Sequence, residues 1–166
     1  EEALRVSLEK YRVLFFFFSL GITVSDDAGN ILEVNRASEH LLGLSALEHS
    51  QRQIGGPEWQ VIRPDGSTMP KEEFASVRAL TEDRLIENVE MGIVRPDGKT
   101  IWINVTAAPI PLEGYGVAVA YGDITARKKA EEALREREAY FHALFEHAGD
   151  AIFIEDEEDQ IIDANR

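Results

Sequence analysis

The chain opens with Glu1-Glu2-Ala3-Leu4-Arg5 and spells the same five residues again as Glu131-Glu132-Ala133-Leu134-Arg135. The correspondence continues without a gap at the same offset of 130 residues. Leu14-Phe15 returns as Leu144-Phe145, Ile22 as Ile152, Asp26 as Asp156, Ile31 as Ile161, and Asn35-Arg36 as Asn165-Arg166. A repeat of this length sets the size of the folding unit before any secondary structure is assigned. It predicts one complete module followed by the beginning of a second, joined by the repeated segment. The absence of an initiator Met predicts that both belong to a longer protein.

A unit of this length is large enough to bury a real core. Seventeen basic and 31 acidic residues give a formal charge of −14, which disfavours nucleic acid and anionic lipid as partners. No cysteine is present, so disulfides, thiol nucleophiles, thiolate metal sites and cysteinyl adducts are excluded. The most apolar stretch, 13–24, is too short for a bilayer and is interrupted by Ser19, Gly21 and Thr23. It reads as a helix running into a strand.

Leu4, Leu8, Tyr11, Leu14, Phe15 and Phe18 recur at three- and four-residue steps, which predicts a helix over 1–18. Residues 22–24 and 31–34 flank the turn formers Asp26 to Asn30 and read as a hairpin. Asn35 caps a short helix that Gly43 ends. Residues 44–58 read as irregular, 59–63 as a short extended piece, and Pro70 starts a helix reaching about Leu80. Three strands with strict alternation follow, with Val89, Met91 and Ile93, then Ile103, Val105 and Ala107, then Tyr115, Val117, Val119 and Tyr121 on one face. The residues between them on the last strand are Gly and Ala, which predicts a flat outer face. From Thr125 the composition returns to strong helix formers, with a weak heptad seam.

Several segments in this order resemble a PAS domain with its PAC C-terminal half. Ile22-Thr23-Val24-Ser25-Asp26, with Gly29-Asn30-Ile31 and Asn35, is similar to the family's opening hairpin. Arg95-Pro96-Asp97-Gly98-Lys99-Thr100-Ile101-Trp102, with Pro109, is similar to its central hairpin. Gly122-Asp123-Ile124-Thr125 and the following Arg127 to Leu134 resemble its Asp-Ile-Thr exit and linker helix. The resemblance covers about residues 10–135. It implies an α+β PAS fold: a five-stranded antiparallel sheet with short helices on one face, flanked by N- and C-terminal linker helices. The expected division is a linker helix over 1–20, a PAS core over 21–125, an exit helix over 126–146 and the start of a second PAS domain over 147–166. Residues 147–166 are expected to fray unless packed on a neighbour.

The resemblance also implies a pocket between sheet and helices. Its lining would be Thr23, Ser25, Phe74, Val77, Met91, Ile93, Ile103, Val105, Val119 and Tyr121, with Val89, Ala107 and Val117 on the same face. These are nearly all apolar. Burying one aliphatic side chain contributes roughly 1.5–3 kcal/mol, so a self-filled core is favoured over a ligand. No cofactor is predicted. The chain lacks the adduct-forming cysteine of flavin photosensors, and the helix over 70–80 lacks the histidine of haem-binding members. A small apolar or flavin-like ligand stays compatible with the resemblance. Of the four histidines, His40, His49, His142 and His147, none has metal-ligand spacing, and His40 reads as a helix-surface residue.

No catalytic motif is present, and adjacent acids such as Glu72-Glu73 point apart. The expected function is a cytoplasmic sensory module of a two-component histidine kinase, a diguanylate cyclase or a similar receptor. It would relay its state through Asp123, Ile124 and Thr125 into the exit helix, towards a downstream PAS and output domain in the same chain. The alternative is a constitutive dimerisation scaffold. Phe15-Phe16-Phe17-Phe18 departs from the repeat, which has Phe145-Glu146-His147-Ala148 there. One helix face cannot bury four consecutive residues. Phe15 and Phe18 fit the core stripe, whereas Phe16 and Phe17 fit either cover by loop 44–58 or a homodimer interface. The flat sheet face of Gly116, Ala118, Ala120, Gly122 and Trp102 is expected to receive a helix, either the chain's own or a partner's.

Overall fold

The structure is a computed structural model and describes residues 1–165. Arg166, the last residue of the sequence repeat, lies outside the described residues. The chain forms two compact units, 1–125 and 126–166.

In the first unit, helix α1 (Glu2–Phe17) leads into β1 (Gly21–Ser25) and β2 (Ile31–Val34). Helices α2 (Arg36–Leu42) and α3 (Ala46–Ser50) follow, then β3 (Gln60–Ile62), a 3-10 turn (Lys71–Glu73) and α4 (Ala75–Glu82). The long strands β4 (Ile86–Val94), β5 (Thr100–Pro109) and β6 (Val117–Asp123) complete it. The sheet order is β2-β1-β6-β5-β4-β3, antiparallel at every step. The core joins the inward residues of the sheet to Leu42, Ile54, Met69, Phe74, Ala75 and Ala79.

Local chemistry fixes the corners. The Asp26 carboxylate accepts from the N–H groups of Ala28 and Asn30 at 3.0 and 2.7 Å and from the Asn30 amide at 2.8 Å. That amide, more than any other group, holds the Asp26 carboxyl below the usual range. The Asn35 side chain caps α2 by accepting from Ser38 N–H at 3.0 Å, and also accepts from Ile22 N–H at 2.8 Å. One buried amide thus starts the helix and ties it to β1. Gly43, with φ of 68°, ends α2 in the left-handed conformation.

The structure corrects four expectations. The sheet has six strands instead of five, because the short piece at 60–62 pairs with β4. The helix expected from Pro70 to Leu80 is two elements: Phe74 is extended, with ψ of 133°, which turns its ring into the core. The segment 44–58 is not wholly irregular. Ser45 and Glu48 form a capping box that starts α3. Finally, β6 begins at Val117 and leaves Tyr115 outside it. Tyr115 N–H instead donates to Leu112 O at 3.1 Å in the preceding turn, and at the next residue, Gly116, a Cβ would lie 2.0 Å from the Asp26 carbonyl oxygen. Gly116 is therefore pressed against the β1–β2 turn and is not part of an open outer face.

The second unit comprises the rest of helix α5 (Thr125–Glu146) and the hairpin β7 (Phe153–Glu155) and β8 (Ile161–Ala164). The sequence repeat is a repeat of hydrogen bonds. Asn165 Oδ1 accepts from Ile152 N–H at 2.8 Å and its amide donates to Asp150 O at 3.0 Å. Asn35 does the same to Ile22 and Leu20, at 2.8 and 2.9 Å. Asp156 accepts from Glu158 and Gln160 N–H as Asp26 does from Ala28 and Asn30. Phe15 stacks on Tyr11, and Phe145 on Phe141. No described helix is long and apolar enough to cross a membrane.

Candidate functional site

Between the sheet and helices α2 to α4 lies a cavity of about 70 Å3. Its sheet wall is Thr23 of β1, Met91 and Ile93 of β4, Ile103 and Val105 of β5, and Val119 and Tyr121 of β6. The six residues of β4 to β6 come from the inward face on which the sequence alternation had set them, and Thr23 stands in the lining that the family resemblance implied. Phe74 closes another side. Ser25 and Val77, expected in the same lining, are elsewhere. Ser25 is fully buried and its hydroxyl accepts from Val117 N–H at 3.2 Å, bridging β1 to β6. Val77 packs on the core beside Gly55. The lining also includes Ile31, Leu42, Ile54, Trp59, Val61 and Ser76, which periodicity within the long strands could not supply. At about 24 cal/mol per Å3, a group that fills a space of this size gains on the order of 2 kcal/mol.

One end of this apolar space is polar. Tyr121 and Thr23 share a hydrogen bond at 3.1 Å, and the Tyr121 hydroxyl makes a second, short one to Ser38 of α2. Burial pushes the Tyr121 phenol up, against the opposing effect of these two bonds, so it stays neutral. Ser38 in turn lies 3.5 Å from Nε2 of His49, a residue of α3 with 0 % exposure. Burial lowers the His49 pKa. Sequence reasoning missed Ser38 and His49. The available signal was a small polar residue at a core-facing helical position, four before Leu42. His40 is exposed, as its helix position predicted. Among the described residues no group of three or more His, Cys, Asp or Glu could hold a metal ion.

At the far end of β6 the three relay candidates sit together. The Asp123 carboxylate accepts from Thr125 N–H at 2.8 Å. Thr125, the first residue of α5, uses its hydroxyl to accept from Trp102 N–H at 2.9 Å. Ile124 N–H donates to Trp102 O at 2.8 Å. The start of the helix is thus bound on both sides of one residue of β5. Trp102 is half-buried and its ring covers Gly92.

The interface candidates Phe16 and Phe17 are 51 % and 81 % exposed. Phe16 borders a groove with Leu44 and Ser45, so loop 44–58 adjoins it without covering it. Phe18, expected on the core stripe, is also exposed; only Phe15 of the four is buried. Helix α1 places Leu8, Tyr11, Leu14 and Phe15 along an apolar groove completed by Ile22, Val24, Ile110 and Tyr115. Tyr11 donates to Glu33 at 2.9 Å, and burial together with that carboxylate raises its pKa to about 12.

A PAS-domain family model matches residues 19–126, and a second PAS-domain model matches 139–166. The sensor protein TdiS of Thauera aromatica is 31% identical over 144 residues, covering 79% of this chain. The chain spans only 24% of the length of that curated relative. Among solved structures, the PAS domain of an HTR-like protein from Haloarcula marismortui is 25% identical. It covers 74% of this chain and 96% of its own, with a TM-score of 0.54. A domain of a sensor histidine kinase/response regulator from Geobacter sulfurreducens shares the fold, at 21% identity and a TM-score of 0.53 over 70% of this chain and 95% of its own. With the sheet, the cavity beside it and these matches in agreement, the chain belongs to the PAS-domain family of sensory modules.

Proposed function

We propose that the chain is the cytoplasmic sensory part of a longer signalling protein, with 21–125 as its PAS core. In this reading 1–20 and 126–146 are linker helices, 147–166 begins a second PAS domain, and catalysis by a histidine kinase or diguanylate cyclase lies outside 1–166. The carrying observation is the strand alternation at β5. Ile103 faces the cavity, while its neighbour Trp102 holds both Ile124 and Thr125. A change in what fills the cavity shifts Ile103, and the adjoining peptide carries that shift to the first turn of α5. Replacing Asp123 and Thr125 with Ala in the full-length protein is expected to leave the core folded and to uncouple output from stimulus. Unchanged regulation would sink the relay.

A second reading, a constitutive dimer, draws on the exposed Phe16 and Phe17 beside the apolar groove of α1. Native mass spectrometry of freshly purified protein separates the two. A bound small molecule supports the sensor, and an empty dimer supports the scaffold.

A further inference from the structure

Thr23 and Tyr121 line the polar end of the cavity, and behind them Ser38 and His49 continue a row of three hydroxyls and one imidazole. The imidazole fixes the direction of this row. Its Nδ1 lies 3.0 Å from the Ser45 carbonyl oxygen, which can only accept, so Nδ1 carries the proton. In neutral His49, Nε2 is therefore an acceptor and must take the Ser38 hydrogen. Three hydroxyl hydrogens then serve three contacts in one way only: Thr23 donates to Tyr121, Tyr121 to Ser38, and Ser38 to His49. Thr23 is left with lone pairs towards the cavity. If His49 gains a proton, Nε2 donates to Ser38 and the acceptor that fixed the first direction is gone, so the row is free to reverse. Ser38 donates to Tyr121, Tyr121 donates to Thr23, and the Thr23 hydrogen is released towards the cavity. No covalent bond changes; one proton is added at Nε2 and three hydroxyls rotate.

We infer that His49 acts as a polarity switch for the pocket, which selects a small ligand bearing a hydrogen-bond donor when the imidazole is neutral and one bearing an acceptor when it is protonated. The inference rests on the reading of this cavity as the sensory pocket. The size of the cavity, about 70 Å3, is below the ~150 Å3 that holds benzene in an engineered apolar core, so the ligand class is one of few heavy atoms with one polar group. The charged groups facing His49 are Glu39 of α2, Glu48 of its own helix and Arg52 just beyond it. The two carboxylates favour the imidazolium, while Arg52 and burial oppose it, burial most strongly. The Trp59 ring tilts against the imidazole, with centroids 6.3 Å apart.

The test uses the 166-residue chain and two five-membered rings of matched size. Pyrrole offers an N–H donor and no acceptor, and tetrahydrofuran offers only an ether acceptor. Each is titrated by NMR, reading the methyl groups of Ile103, Val105 and Val119, at about pH 7.5 and about pH 5.5. The preference for tetrahydrofuran over pyrrole is expected to rise at least several-fold on acidification, with a limit of roughly tenfold per pH unit above the His49 pKa. Ser38→Ala removes the link between the imidazole and the other two hydroxyls while leaving His49 and its Nδ1 bond to Ser45 in place, and is expected to abolish the change. Binding of both probes with a pH-independent ratio overturns the switch while leaving the pocket reading intact. The same result follows if Ser38→Ala keeps the pH dependence. Absence of binding by either probe at both pH values overturns the switch together with the pocket reading.

Discussion

Gly21 and Tyr121 are direct partners across β1 and β6, and a Cβ on Gly21 would lie 2.3 Å from the tyrosine ring. The missing side chain is what lets the ring reach Thr23 and Ser38. Gly21→Ala must move Tyr121, and a loss of about 1–3 kcal/mol is expected in urea unfolding, as for other overpacked sites. Tyr121→Phe keeps the ring but removes its hydroxyl, and a smaller loss of about 1–2 kcal/mol is expected. His49 gives a separate signature in acid. Its folded pKa is lowered by burial, so the unfolded chain takes up the proton first. Its contribution to stability is full above about pH 6.5, the unfolded value, and is lost as pH falls through the folded pKa. Asp26, Glu48 and Glu73 are also lowered, each mainly by hydrogen bonds, but their contributions disappear only below the ordinary carboxylate range, about pH 4. Unfolding free energies measured between about pH 8 and pH 5 are expected to fall with pH in the wild type. In His49→Phe that part of the slope should vanish, and an unchanged slope would show that His49 is not its source.

The elements that the sequence made legible are those whose periodicity spans several residues. The alternation of Met91 and Ile93, Ile103 and Val105, and Val119 and Tyr121 put the sheet wall of the cavity in place, because a strand with one buried face has no second register. The short elements were harder to read. Helix α3 has five residues, too few for a helical stripe, and its evidence was chemical: Ser45 with Glu48 three positions later. The opposite wall of the cavity, Leu42 of α2 with Ile54 and Trp59 of the loop after α3, is assembled from segments that touch only in three dimensions. Phe74 shows the same limit, since its extended backbone answers to the core it fills and not to the helix formers around it. The capping box has a direct test. In Ser45→Ala the first turn of α3 loses the side-chain acceptor of Glu48 N–H, and about 1 kcal/mol of stability should go with it. Because His49 Nδ1 bonds the Ser45 carbonyl, the same variant should change amide exchange at His49. Unaltered exchange there would mean that the cap does not hold the imidazole in place.

At the scale of the whole molecule, exposed aromatic area and net charge oppose one another. Phe16 and Phe17 present an unpartnered apolar surface on α1, the kind of patch that marks an association site. Two copies brought together there each carry a formal charge of −14, so their long-range interaction is repulsive. The contact itself is apolar and insensitive to salt, whereas the repulsion is screened within a Debye length of about 10 Å at 0.1 M salt. Dimerisation through this patch should therefore strengthen as ionic strength rises, opposite to an association held by ion pairs. Light scattering is expected to show the average mass rising towards a dimer between about 0.02 and about 0.3 M salt. The double variant Phe16→Glu, Phe17→Glu should stay monomeric throughout, while its unfolding midpoint stays within the range of ordinary surface changes, about ±0.5 kcal/mol. A mass that falls with salt, or a double variant that still dimerises, would move the interface off α1. In that case the four consecutive phenylalanines would need an explanation other than self-association.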